Sequence, residues 1–339
     1  MKAALFADKN KLELAEAPIP EIGPGEALVR VAYAGICGSD VHVWQGRHPT
    51  ATYPRIPGHE FSGVLEKMNG APRDGLNPGD RVVVQPFWSC GMCEPCISGM
   101  DNVCRELKIF GIHEDGCFAE YVRVPLKKVY RLPGNVGLKL GAITEPLAVA
   151  VHDVRRSGLQ VGERALILGG GPIGMLIALV AQHTGADVYV SEINEYRLAF
   201  AQRLGIKTIN PAKCGLEQET LRITDGRGFD VVYEASGSKP CIQAATGVVK
   251  IGGTVLVIGM AGEQPFNLGA VFAKELTVKG VRIHSQQSFE GAVALLKSGV
   301  LNGRLEQILN REFTLDECVE AMRFQVEDAN HFKVVIKID

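Results

Sequence analysis

Hydrophobic and polar positions alternate in short runs through the first 150 residues. Residues 26–33 and 80–84 read as strands rich in Val, Ala and Leu, bounded by turn residues. Asn77-Pro78-Gly79-Asp80 supplies the turn chemistry ahead of the second. The region predicts a β-rich domain laden with loops. Around 143–156 the pattern changes to the apolar stripe of a helix. A strand at 164–168, a glycine turn at 169–174, a helix at 175–184 and a strand at 187–191 come next, with a helix at 195–204. Strand-like runs recur at 229–233, 254–258 and 276–281, with helical segments between most of them. Such alternation predicts a parallel, doubly wound α/β sheet. The tail is mixed again: amphipathic helices at 289–298 and 315–324, then a strand at 333–338. The expected architecture is a doubly wound sheet, residues 151–286, inserted in a split β-rich domain made of 1–150 and 287–339.

The length of 339 residues suits two domains of roughly 100–200 residues each. With 46% hydrophobic and 22% charged residues, the chain has the balance of a soluble globular protein. A net charge of -2 and the lack of a basic block give no reason to expect nucleic acid or a membrane surface as partner. Asp8 interrupts the start too early for the apolar part of a signal peptide. No run of about 18 apolar residues predicts a membrane span, so the chain reads as cytoplasmic. Its nine cysteines then read as thiols or metal ligands rather than disulfides.

Gly169-Gly170-Gly171-Pro172-Ile173-Gly174 fits GxGxxG between an apolar strand and an apolar helix, the setting of a Rossmann-type dinucleotide turn. Gly169 permits the tight turn, Gly171 admits a pyrophosphate to the backbone, and Gly174 lets helix and sheet pack closely. Glu192, at the end of the second strand, is where this fold places a carboxylate against the adenosine ribose. That favours NAD, while nearby Arg197 keeps NADP open. Ser236 and Ile258-Gly259 end later strands and are expected to line the groove, the second pair near the nicotinamide.

Cys90, Cys93, Cys96 and Cys104 form a CxxCxxC run with a fourth cysteine after a longer gap. Two-residue gaps let one loop aim successive thiolates at one centre, and four thiolates suit a closed, tetrahedral structural zinc. The spacing fits neither common ferredoxin pattern. The lobe, near 86–106, is expected to be stapled by zinc and to take no part in chemistry.

Cys37, His59, Glu60 and Glu145 are the remaining candidate ligands. Spacing alone does not bring them together, and a lone Cys or His is ordinarily structural. The segments GICGSD around Cys37, GHE at Gly58-His59-Glu60, the cysteine lobe and GGGPIG occur in the order and spacing of one family. Over essentially the whole chain the sequence resembles the zinc-containing medium-chain alcohol dehydrogenases. Cys37-Gly-Ser-Asp-Val-His42 with Trp44 resembles the sorbitol and polyol branch, residues 116–121 resemble threonine dehydrogenases, and the general arrangement is similar to sugar-acid (hexonate) dehydrogenases.

The resemblance implies a GroES-like fold for the split domain, two zinc ions per chain and NAD. Cys37 and His59 would hold the catalytic zinc with Glu60 or Glu145 as a further ligand, one carboxylate at a time. A thiolate and one carboxylate leave the zinc site near neutral. Asp40 would orient His59 from behind. Ser39 would take the hydroxyl proton and His42 would pass it to solvent. Arg282 would lie near the segment that closes over the nicotinamide. Ile283 and Val43 depart from the sorbitol branch, which has an arginine and an aromatic residue there. His48, His113 and His152 read as ordinary hydrogen-bonding histidines.

The implied reaction is hydride transfer between NAD and a secondary alcohol of a polyol or sugar acid, with an amino alcohol such as L-threonine as the alternative substrate. Trp44, Phe110, Phe118 and Arg47 are candidate pocket residues, and Arg47 or Arg55 could bind a substrate carboxylate. A zinc-free quinone reductase on the same fold and an NAD-binding structural protein are the competing readings; the metal motifs argue against both. Relatives assemble, so a homo-oligomer is expected, a tetramer before a dimer.

Overall fold

The computed structural model describes residues 1–339, the side chain of Arg73 apart. The chain divides into two compact units, Met1–Pro146 with Ser285–Asp339, and Leu147–His284. The sequence pattern put these changes at 150/151 and 286/287. The first boundary falls inside the helix Thr144–Ser157, so no loop marks it.

The first unit is built on a sheet whose strands run Arg311–Thr314, Val334–Lys337, Glu26–Gly35, Glu60–Asn69, Arg81–Val84 and Val129–Arg131, with Tyr121–Pro125 also paired to Glu26–Gly35. Glu26–Gly35 is the hub. Val335, Gly35 and Glu60 lie side by side across three strands. Strands from the chain's end thus complete a sheet begun near its start. Phe6, Phe61, Leu65, Phe110 and Phe118 fill the core beneath.

The second unit holds a six-stranded parallel sheet ordered Lys207–Ile209, Asp187–Ser191, Arg164–Leu168, Phe229–Glu234, Val249–Val257, Thr277–Gly280. Its central strands are buried almost throughout, as a sheet covered on both faces requires. Chain order reverses beside Arg164–Leu168, and such switch points leave a crevice at the carboxyl ends of the strands. Two boundaries differ from the periodic reading. The helix expected at 175–184 is Pro172–His183, because proline occupies its first turn, where no donor is needed. The segment expected as one helix at 315–324 is a short 3₁₀ turn, Leu315–Glu317, capped by Thr314 and Glu317, followed by Cys318–Glu327. Among the described residues no helix is long and apolar enough to cross a membrane.

Candidate metal centres and cofactor turn

The four cysteines of the lobe converge. Sulfur–sulfur distances are 3.4 Å for Cys93–Cys96, 3.5 Å for Cys90–Cys104, 3.8 Å for Cys93–Cys104 and 3.9 Å for Cys90–Cys96. Zinc–sulfur bonds of about 2.3 Å in a tetrahedron put sulfurs about 3.8 Å apart, so the cage has zinc dimensions. Backbone N–H groups of Arg105 and Cys96 draw the Cys93 thiol down to about 6. Burial and the neighbouring sulfurs push Cys96 up to about 12. One thiolate forms readily, and the remainder need a cation to offset their mutual repulsion.

The second centre is assembled from separate elements. Cys37 caps the short helix Gly38–Trp44, Ser39 and His42 lie three apart on that helix, and His59-Glu60 opens the strand Glu60–Asn69. Ligand atoms of Cys37, His59 and Glu60 lie within 4.8 Å of one another. Asp40 is fully buried and accepts the N–H groups of Cys37 at 2.8 Å and Gly58 at 3.3 Å. Its carboxylate also stands 3.5 Å from His59 Nδ1. Nε2 is thereby turned toward Ser39 Oγ, at 3.4 Å. A donor set of one thiolate, one imidazole nitrogen and one carboxylate is that of a zinc site with room for substrate. Burial would hold the pKa of His59 down, but the charges of Asp40, Cys37 and Glu145 outweigh it and set it well above the ordinary value. Such a site favours a cation beside the ring.

Glu145, in the first turn of Thr144–Ser157, is buried and its charge reaches both His59 and Glu60. It is not among the three residues that meet within that radius. His42 is pushed down by burial and by the Arg47 guanidinium. Arg55 is engaged by Asp115 at 3.1 Å and by Thr52. His113 accepts the Ile109 N–H and contacts Thr50, in line with a structural histidine.

In the second unit the glycine turn joins the strand Arg164–Leu168 to the helix Pro172–His183. Gly169 has φ +103°, and a side chain there would strike Ser236. A Cβ on Gly174 would stand 2.0 Å from the Gly169 carbonyl oxygen. Above Gly171 a Cβ would meet only Arg197, at 4.0 Å, so the N-terminus of Pro172–His183 opens on space fit for a pyrophosphate. Ile173 follows Pro172 in that first turn. Glu192 accepts N–H groups from Gly170, Ile193 and Asn194 at 2.7–3.0 Å, and Arg197 stands 3.6 Å away. Ile258 and Gly259 both donate to the Glu234 carbonyl. Arg282 is exposed, and Ile283 beside it takes a left-handed φ of +52°.

Two residues at these sites escaped the sequence reading. Glu234 is buried at the end of its strand, and its carboxylate accepts Ser236 N, Ser236 Oγ and Gly237 N. It shapes the loop that abuts Gly169. Lys333, also buried, donates to Glu60 Oε1 at 2.6 Å. An acidic residue ending a strand hinted at the first; no local pattern marked the second.

The chain matches the alcohol dehydrogenase GroES-like domain over residues 23–134 and the zinc-binding dehydrogenase domain over 172–298. It belongs to the zinc-dependent medium-chain alcohol dehydrogenase family, enzymes that act on CH–OH groups with zinc and NAD(P). It is 39% identical over 304 residues to 2-dehydro-3-deoxy-L-galactonate 5-dehydrogenase of Pseudoalteromonas atlantica, covering 89% of each chain. To L-threonine 3-dehydrogenase of Anaeromyxobacter sp. it is 35% identical over 311 residues, covering 89% of this chain and 88% of that one. A zinc-binding dehydrogenase from Sinorhizobium meliloti, solved with NADP, superposes with TM-score 0.92 at 33% identity, over 99% of this chain and 98% of that one.

Proposed function

We propose that this enzyme oxidises a secondary alcohol of a sugar acid to the ketone with NAD, polyols being the neighbouring substrate class. The observation that carries the acid over the neutral polyol is Arg47. Its guanidinium contacts Gln45, meets no carboxylate among the described residues, and lies near enough to His42 to lower its pKa. Arg55, the other candidate, is occupied by Asp115. Arginine presents a planar fork matched to a carboxylate. The likeness to a galactonate-derivative dehydrogenase points the same way. Threonine also bears a carboxylate, so the likeness to L-threonine 3-dehydrogenase keeps it as the second reading.

Cys37 and His59, with Glu60 or Glu145, would hold the catalytic zinc, and the four-cysteine lobe would hold a second. Bound zinc supplies a Lewis acid that lowers the hydroxyl pKa, and the nicotinamide supplies the hydride acceptor. Ser39 Oγ takes the hydroxyl proton, and His42, one helical turn on, passes it to solvent; its lowered pKa keeps it neutral and able to accept. The Glu192 carboxylate favours NAD over NADP by repelling a ribose phosphate, with Arg197 moderating the preference. Ser236, Ile258 and Gly259 would line the cofactor groove, and Arg282 would approach its nicotinamide end.

A homo-oligomer, a tetramer before a dimer, is supported by the exposed edge strand Thr277–Gly280 and by Leu268 and Phe272 exposed on the helix before it. The unpaired thiols suit the reducing cytoplasm. The deciding assay is NADH formation with aldonic acids, polyols and L-threonine, before and after chelation. Chelation-sensitive turnover of aldonic acids, with KM raised in Arg47→Ala and kcat retained, supports the reading. Turnover of neutral polyols alone, indifferent to Arg47, overturns the sugar-acid assignment.

A further inference from the structure

Glu234 ends its strand between Leu168 and Val257, the last residues of the two neighbouring strands. Three strand ends are pressed together there. The Glu234 carbonyl accepts Ile258 N at 2.9 Å and Gly259 N at 3.0 Å. A Cβ on Gly259 would stand 2.1 Å from Gly237 N and 2.9 Å from Glu234 Oε2, so residue 259 has room for no side chain. On the other side Ser236 abuts Gly169 of the glycine turn. The Glu234 side chain is buried in this knot, and every donor it meets is neutral. Oε1 accepts Ser236 N at 3.0 Å, Ser236 Oγ at 2.6 Å and Gly237 N at 3.0 Å, and Oε2 stands 3.2 Å from the same Gly237 N. An acid that accepts on both oxygens and donates to nothing is the carboxylate form. Among the described residues no Lys, Arg or His is within ion-pair reach of it. Glu60, by contrast, has Lys333, and Asp40 has His59.

We infer that the buried Glu234 anion biases the cofactor site toward the oxidised nicotinamide. The inference rests on the reading that Ile258 and Gly259 line the nicotinamide end of the groove. On accepting a hydride, the nicotinamide ring passes from a cation to a neutral group. A buried anion with no cation of its own lowers the energy of the first state more than that of the second. Glu234 also fastens the loop at Ser236 and Gly237, and that support serves both forms of the cofactor alike. Only the charge tells them apart.

The test measures the dissociation constants of NAD+ and NADH for the whole zinc-loaded enzyme without substrate, by calorimetry and by NADH fluorescence. Glu234→Gln keeps the shape and an oxygen for Ser236 and Gly237, and removes the charge. NAD+ binding is expected to weaken by roughly tenfold relative to NADH, the scale of one charge acting across a partly buried site. Glu234→Asp keeps the charge, so the ratio of the two constants should stay as in the parent even where both weaken. Equal weakening of NAD+ and NADH in Glu234→Gln, or no weakening of either, overturns the bias and leaves Glu234 as a support for its loop. A ratio that shifts as far in Glu234→Asp as in Glu234→Gln overturns it too. If Glu234→Gln does not fold, Ser236→Ala leaves the anion with one donor fewer. The ratio should then move further toward NAD+, and an unmoved ratio counts against the bias. Failure of the parent enzyme to bind either NAD+ or NADH removes the cofactor reading itself.

Discussion

The two cysteine-bearing clusters belong to the same unit and are built in opposite ways. In the lobe all four donors come from residues 90–104, three of the thiols are half-exposed, and Met92 and Ile97 point into solvent. Its helices are the four-residue Glu94–Ile97 and a single 3₁₀ turn. A segment with so little core depends on its metal to offset the entropy of ordering it. In the buried cluster the donors come from the cap of a helix and the start of a strand. Asp40 and the packed sheet hold them there. The first set of donors is gathered by one short loop with little core of its own; the second is gathered by the packed fold.

The largest effect that separates the two is on turnover. His59→Ala should cut kcat/KM by roughly a thousandfold or more, since the hydroxyl pKa is no longer lowered. The fold should survive, as circular dichroism and an unchanged elution volume would record. Cys93→Ser should do the reverse. Zinc content falls by one per chain and the lobe becomes open to proteases. Stability drops by several kcal/mol, the order expected when a structural zinc contributes its binding energy to folding, while residual folded enzyme turns over at close to the parent rate. If Cys93→Ser kept its melting temperature and resisted proteolysis, the lobe would not depend on a bound zinc for its order.

The same contrast governs what could be read from residues alone. Cys90, Cys93, Cys96 and Cys104 announce themselves because a local site writes its geometry into spacing. GxGxxG was legible for the same reason: Gly169 and Gly174 meet within one turn. Cys37 and His59 were brought together only by resemblance, because 21 residues and a strand pairing intervene between them. Lys333 was out of reach altogether. It meets Glu60 across 273 positions through the order of the strands, and a lysine before a β-branched run looks like any strand edge. The parallel sheet was visible through its apolar runs, whereas boundaries such as Pro172 and the capped turn at Thr314 turned on single residues that periodicity averages away.

Smaller effects probe how buried polar groups are held. Asp40→Asn keeps the shape but takes away one charge and turns a shared acceptor into a partial donor. Zinc affinity and turnover should each fall by about 10–100-fold, as when other metal-binding histidines lose their orienting carboxylate. Equilibrium dialysis with zinc measures it, and an unaltered affinity would mean that the sheet alone orients His59.

Asp153, in the second unit, is the counter-case. It is 1% exposed, and neither carboxylate oxygen has a hydrogen-bond partner among the described residues. Burial alone pushes its pKa well above the ordinary 3.8. The folded protein therefore keeps this proton at pH values where the unfolded chain has released it. Stability on this account is full below about pH 4 and falls as pH rises toward the raised pKa. Asp153→Asn removes that slope. Its melting temperature should match the parent near pH 4 and exceed it progressively toward neutral pH, by the equivalent of roughly 1–3 kcal/mol, the usual scale for a buried polar group left unpaired. Parallel melting curves across that range would mean that Asp153 is stabilised in its charged form. It would then belong with Asp40, as a group the fold has organised.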